Sequence, residues 1–225
     1  MQTQDYEKIW DQYSEKFGQT PGTEKAAHLG DEWANLEISR ARFEQFVLPH
    51  LRETLDVGEL GVGGGKYSVM AAAHLRRLNG IDISDRMLAR TAERLQQETQ
   101  CEFVAVKCVD SKITLPDAAL DVFFSLDSMV HIFPYDFYSY VCEVGRVLRP
   151  GAVGIIEYAD WDAPGAIHKF KMDFDHFRQH RQLSPGAFGF ISRAAMTQFV
   201  ASAGLKLEKI DTISKRSSVA TLRKP

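Results

Sequence analysis

A short apolar run from Leu55 to Leu60 passes directly into four glycines within five residues, Gly61 to Gly65. A helical pattern, Tyr67 to Leu78, follows. Glycine belongs where φ is positive or where backbone must approach a ligand closely. A strand, a glycine turn and a helix N-terminus in this order predict a site for a nucleotide-like ligand in an α/β fold.

Spacing separates the possible ligands. A phosphate-cradling loop needs Gly-Lys followed by Ser or Thr, with another Gly five residues before the second one. Here Gly65-Lys66 is followed by Tyr67, and Leu60 holds the place of the first Gly, which excludes that loop. A dinucleotide fingerprint needs Gly-x-Gly-x-x-Gly. Gly61 and Gly63 fit it, but Lys66 stands at the third glycine. The pattern acidic-x-Gly-x-Gly-x-Gly is met in full by Glu59, Gly61, Gly63 and Gly65. This stretch resembles the first motif of the class I S-adenosylmethionine-dependent methyltransferases. An acid beside the turn suits a cofactor with an ammonium group and would repel a pyrophosphate.

Later segments follow in the order this resemblance requires. Leu78 to Ile83 is a second strand, and its Asp82 lies 23 residues after Glu59. That is close to the roughly 20-residue offset of an acid that accepts ribose hydroxyls. Phe103 to Val109 is a third strand, closed by Asp110-Ser111. Leu120 to Asp127 is nearly continuous in apolar residues, as a buried central strand should be. A helix from Tyr138 ends at Leu148, Arg149-Pro150-Gly151 stops it, and a fifth strand runs from Ala152 to Tyr158. The string Glu143 to Gly151 is similar to the family's E-x-x-R-V-L-K-P-G segment. The chain departs from the common motif at Val62, where Cys or a small residue is frequent, and at Gly64, where Thr or Ser is frequent. The resemblance covers roughly residues 55 to 160.

The expected architecture is a doubly wound, mostly parallel seven-stranded Rossmann-like sheet with an antiparallel last strand. Leu205 to Ile213 and Ser217 to Leu222 close it as an antiparallel pair, after a helix over 192 to 203 capped by Ser192 and stopped by Gly204. The chain reads as one domain, 1–225, with two appendages. Residues 1–54 form a helical lid, with helices from Tyr6 to Phe17 and from about Asp31 to Leu48. Residues 159–190 form a substrate-side insertion, with a helix from Ile167 to His180. Aromatic residues and histidines in both suit a pocket over the sheet, where loops carry function.

The family resemblance implies S-adenosylmethionine as cofactor. It places Glu59 near the methionine ammonium, Gly61, Gly63 and Gly65 against the ligand backbone, and Asp82 on the ribose. Asp110 and Ser111 are assigned to the adenine, with Ile83 and Leu126 on its faces. His131, just past the fourth strand, is the candidate general base. Trp33, Asp127, Tyr158, Trp161 and Phe188 are the candidate substrate contacts. No metal site is expected.

Net charge of −3 leaves no basic footprint for a nucleic-acid partner. No Asn-Pro-Pro-Tyr-like segment follows the fourth strand; Ser125-Leu126-Asp127-Ser128 stands there, which argues against nucleobase or glutamine methylation. A small-molecule acceptor, O- or N-linked, is the leading expectation. A tRNA nucleoside methyltransferase and a non-catalytic S-adenosylmethionine-binding protein are the alternatives. Cys101, Cys108 and Cys142 lack metal-ligand spacing and cannot all pair, which suits reduced thiols. With a polar start and no apolar run of membrane length, the expected setting is cytoplasmic, without a membrane partner, as a monomer or homodimer.

Overall fold

A computed structural model describes residues 6–19, 26–32 and 35–225. The chain forms two compact units, residues 1–115 and 116–225. In the first, α1 (Tyr6–Lys16) and α2 (Leu36–Phe46) precede β1 (Val57–Leu60), α3 (Lys66–Ala72), β2 (Arg77–Asp82), α4 (Asp85–Glu98), β3 (Glu102–Val109) and β4 (Lys112–Ile113). The strand order is β4-β3-β2-β1. β1, β2 and β3 are parallel, with Glu59 beside Gly80 and Asp82 beside Lys107. All four β1 residues are buried, as a parallel strand covered on both faces requires.

The second unit holds β5 (Leu120–Ser125), α5 (Pro134–Val147), β6 (Leu148–Ala159), α6 (Ala166–His180), α7 (Arg193–Ser202), β7 (Lys206–Thr212) and β8 (Ser217–Arg223). Its order is β5-β6-β8-β7. β5 and β6 run parallel, and β8 is antiparallel to both β6 and β7. Phe123, Phe124, Phe137 and Tyr158 are among its largest fully buried side chains. Each contributes roughly 1.5–3 kcal/mol by leaving water. Together these elements give the expected α/β, mostly parallel Rossmann-like fold with antiparallel strands at its edge.

Several boundaries differ from the sequence reading. The described residues hold eight strands rather than seven; the extra one is the two-residue β4, which returns from β3 through Asp110-Ser111. α3 stops at Ala72, six residues early, because the chain must turn before β2 begins at Arg77. α2 starts at Leu36, not Asp31, because the Asn35 side chain accepts the Glu37 amide and caps it there. Leu36 and Ile38 of α2 are apolar yet 48% and 51% exposed, while Phe43, Phe46 and Val47 are buried. α5 begins at Pro134, where proline's missing N–H costs nothing, and ends at Val147 because Leu148 already pairs with Leu120. Arg149-Pro150-Gly151 therefore lies inside β6, in a register irregularity between Leu120 and Val122 of its partner, rather than in a turn before it. The α7 reading holds: Ser192 accepts the Ala195 amide, and Gly204 follows with φ 69°.

Candidate functional site

The glycine turn is built as the spacing predicts. Gly61, Gly63 and Gly65 have φ of 78°, 53° and 84°, the left-handed region open to glycine. The Gly61 amide donates to the Ile81 carbonyl at 2.7 Å, and Gly65 to Val62 at 2.9 Å. Thr91 Oγ1 donates to the Gly63 carbonyl at 2.9 Å and fixes the turn against α4. Among the described residues, none has an atom within 4 Å of a Cβ placed on Gly63, so the turn has an open side there.

Two buried carboxylates face this turn. Asp82 ends β2, and its Oδ2 accepts the Gly63 amide at 3.3 Å while Oδ1 accepts the Ser84 amide at 2.9 Å. Burial is the main cause that pushes its carboxyl up to about 6; the backbone donors pull the other way. Glu59 on β1 accepts the Ser68 hydroxyl at 2.6 Å. Burial, reinforced by the Asp82 charge, raises its carboxyl to about 8, against the Ser68 hydrogen bond and Lys66. Ile83, beside Asp82, is half-buried.

Asp110 and Ser111 form the two-residue loop of the β3–β4 hairpin, with φ of 50° and 59°. Positive φ at both positions is what a type I′ hairpin demands, and Asp suits it. Their residue types are therefore explained by the turn itself. Asp110 is exposed.

A segment of the N-terminal appendage lies on the turn. A Cβ on Gly64 would stand 1.9 Å from the Leu29 carbonyl oxygen, so only glycine admits that contact. Arg94 of α4 donates to the Gly64 carbonyl at 3.1 Å and pairs with Asp31 at 3.1 Å, both side chains about nine-tenths buried. The Gly30 amide and the Tyr13 hydroxyl both donate to Glu32. Residues 28–32 are thus strapped over the turn, which accounts for glycine at position 64. The Gly30-Asp31-Glu32 string was the available signal. Trp33 lies outside the described residues.

The second unit carries the remaining candidates. Leu126, just past β5, is buried. Asp127 has φ 57°, a conformation costing a non-glycine residue about 1–2 kcal/mol, and its amide donates to Glu157 Oε2 at 2.9 Å. Glu157, buried near the end of β6, also accepts the Ser217 hydroxyl at 2.8 Å. Tyr158 points to the opposite face, as alternation along a strand requires. It packs edge-on to Phe137 at 6.4 Å and is fully buried, and its hydroxyl has no hydrogen-bond partner among the described residues. Tyr158 is a core residue here, and its assignment as a substrate contact is withdrawn.

His131 closes a one-turn 3-10 helix, Met129–His131. Its Nδ1 lies 3.1 Å from the Ala187 carbonyl. A carbonyl only accepts, so Nδ1 holds the proton and Nε2 the lone pair of the neutral ring. Burial, opposed by that hydrogen bond and assisted by Lys169, lowers its pKa and favours this neutral form. The loop supplying Ala187 is clamped on both sides. The Gly189 amide donates to the Val130 carbonyl at 2.9 Å, and a Cβ on Gly189 would stand 2.0 Å from the Ile132 carbonyl oxygen. On α6, the buried pair Lys169–Asp173 takes the Gly186 carbonyl at 2.8 Å and the Phe188 amide at 3.2 Å. Phe188 stands edge-on to His131 at 5.4 Å, and Trp161 packs on Phe190 at 5.1 Å. Among the described residues no cluster of three His, Cys, Asp or Glu side chains is arranged to hold a metal ion. No described helix is long and apolar enough to cross a membrane.

Residues 58–156 match the family described as "Methyltransferase domain". A 27-O-demethylrifamycin SV methyltransferase of Amycolatopsis mediterranei is 26% identical over 190 residues, 82% of this chain and 67% of that protein. Residues 58–156 thus form a methyltransferase domain, in keeping with the class I S-adenosylmethionine-dependent pattern of the Glu59 to Gly65 motif. Solved structures show the same fold. The [4+2]-cyclase SpnF aligns with TM-score 0.70 at 13% identity, over 97% of this chain and 94% of that one. A SAM-dependent methyltransferase of Methanosarcina mazei aligns with TM-score 0.63 at 14% identity, over 79% of this chain and 96% of that one. The methyltransferase's cofactor is S-adenosylmethionine. The open side at Gly63 and the two buried carboxylates fit it: the Asp82 carboxylate, which accepts the Gly63, Ser84 and Ile83 amides, keeps lone-pair capacity for a hydroxyl, and Glu59 offers charge to an ammonium.

Proposed function

We propose that this methyltransferase methylates an oxygen or nitrogen nucleophile of a small molecule. The observation that carries the reading is His131: a neutral imidazole, oriented by the Ala187 carbonyl and set edge-on with the Phe188 ring. Asp82 accepts the ribose hydroxyls, Glu59 meets the ammonium, and Ile83 and Leu126 contact the adenine, which Asp110 and Ser111 border. When bound, S-adenosylmethionine supplies a methyl group already activated by its sulfonium. The chain's part is to orient the nucleophile, exclude water and accept a proton. His131 Nε2 takes that proton from the acceptor's hydroxyl or ammonium, and Asp127, with Trp161 and Phe188, contacts the acceptor. The relative from Amycolatopsis mediterranei is named for a small-molecule substrate, which supports this class.

A release assay for S-adenosylhomocysteine tests the reading, with hydroxy- and amino-substituted small molecules set against unmodified tRNA. Turnover is expected on small molecules and is expected to fall about a hundredfold or more in His131→Gln, the usual range for a lost general base. Methyl incorporation into tRNA alone would contradict the proposal.

A further inference from the structure

Outside the groups that the proposed reaction uses, α6 presents an apolar stripe to solvent. Ile167, Phe170, Phe174 and Phe177 recur at spacings of three, four and three, which places them on one helix face. All four are exposed, and Trp161 beside them is 40% exposed. Burial of the helix does not explain this face, since Ala166 and Lys169 are the residues α6 buries.

The stripe is continuous with the candidate base. From His131 the rings run edge-on to Phe188 at 5.4 Å, on to Phe190 at 5.8 Å, to Trp161 at 5.1 Å and to Phe170 at 5.2 Å. Two cations lie over the Phe188 ring. Lys169 Nζ is 4.7 Å from its centre but is committed to Asp173 and the Gly186 carbonyl. The Arg216 guanidinium is 5.4 Å from the same centre and, among the described residues, has no carboxylate partner. A guanidinium over an aromatic ring, one ring away from a neutral histidine, favours a planar anion that can stack and pair at once.

The geometry points to an acceptor that is a planar aromatic ring system bearing an anionic group, packed against the rings of Phe190 and Trp161 with the anion on Arg216 beside Phe188. Calling this ligand the methyl acceptor rests on the function proposed above; the binding site itself does not.

Two fluorescent probes of the same ring framework test the site without any methyl transfer: the anionic 1-anilinonaphthalene-8-sulfonate and the uncharged N-phenyl-1-naphthylamine. The wild-type chain is expected to bind the anionic probe more tightly, at one saturable site. Arg216→Gln should weaken the anionic probe about tenfold, the share of one charge-assisted contact, and leave the neutral probe unchanged. Trp161→Ala should weaken both. Arg216 is exposed, so its replacement leaves the fold intact, and Arg216→Lys should recover part of the loss. Equal affinity for the two probes, or no response to either substitution, overturns the assignment. A second copy on this face is the competing occupant. Sedimentation that shows a dimer broken by Phe174→Glu, with probe binding suppressed as protein concentration rises, would also overturn it. If the probes behave as expected but other small molecules and no aromatic acid are methylated, the site stands and its ligand is not the methyl acceptor; methylation of tRNA alone would overturn the function proposed above instead.

Discussion

Asp82 and Glu59 carry the clearest consequence at the scale of single residues. Their folded-state values, about 6 and about 8, lie above the ordinary carboxylate range. The folded chain therefore holds protons that the unfolded chain has released. Without cofactor, their contribution to stability is full below about pH 4 and is lost as pH rises through about 6 and then about 8. Ribose hydroxyls and an ammonium need the ionised forms, so cofactor affinity runs in the opposite sense. The melting temperature of the free chain should fall between about pH 5 and 7, while the increase produced by S-adenosylhomocysteine should grow. Thermal scans across that interval check both, and an increase that stays constant would contradict the roles given to these acids. Gly64 yields a second expectation. Restoring the family's common residue with Gly64→Ser places a Cβ 1.9 Å from the Leu29 carbonyl oxygen. The strap must lift, at a cost of about 1–3 kcal/mol, readable as a lower denaturant midpoint. An unchanged midpoint would show that residues 28–32 do not press on the turn.

At the scale of elements, the clamped loop matters most. Gly189 touches the His131 turn so closely that Gly189→Ala must move one of them. Turnover should fall by about tenfold or more with cofactor affinity unchanged, since a small misplacement of a catalytic group is expensive. Equal turnover in the variant would show that the loop does not position His131.

At this scale the sequence encodes some features locally and others not. The strands and the glycine turn were legible because Glu59, Gly61, Gly63, Gly65 and Asp82 act through fixed spacing along the chain. Boundaries were less legible. Asn35 was a readable cap, but the apolar look of Trp33, Leu36 and Ile38 pulled the expected start of α2 back to Asp31. Pro150 and Gly151 suggested a turn because an irregularity inside a strand uses the same residues. The contacts of Leu29 with Gly64, Ala187 with His131, and Glu157 with Asp127 join residues 30 or more positions apart. No local pattern encodes such pairs, so the strap, the clamp and the buried place of Tyr158 emerged only from the fold.

For the whole molecule, the account assigns S-adenosylmethionine to the glycine turn of an α/β chain whose motif nearly fits a dinucleotide as well. Lys66 at the third glycine position and the buried acid Glu59 decide between them. Isothermal titration calorimetry with S-adenosylhomocysteine and with NAD tests this most directly. The account predicts one saturable site for S-adenosylhomocysteine, weakened about a hundredfold by Asp82→Ala as two hydrogen bonds to a charged group are lost, and no binding of NAD. Binding of NAD without binding of S-adenosylhomocysteine would contradict it.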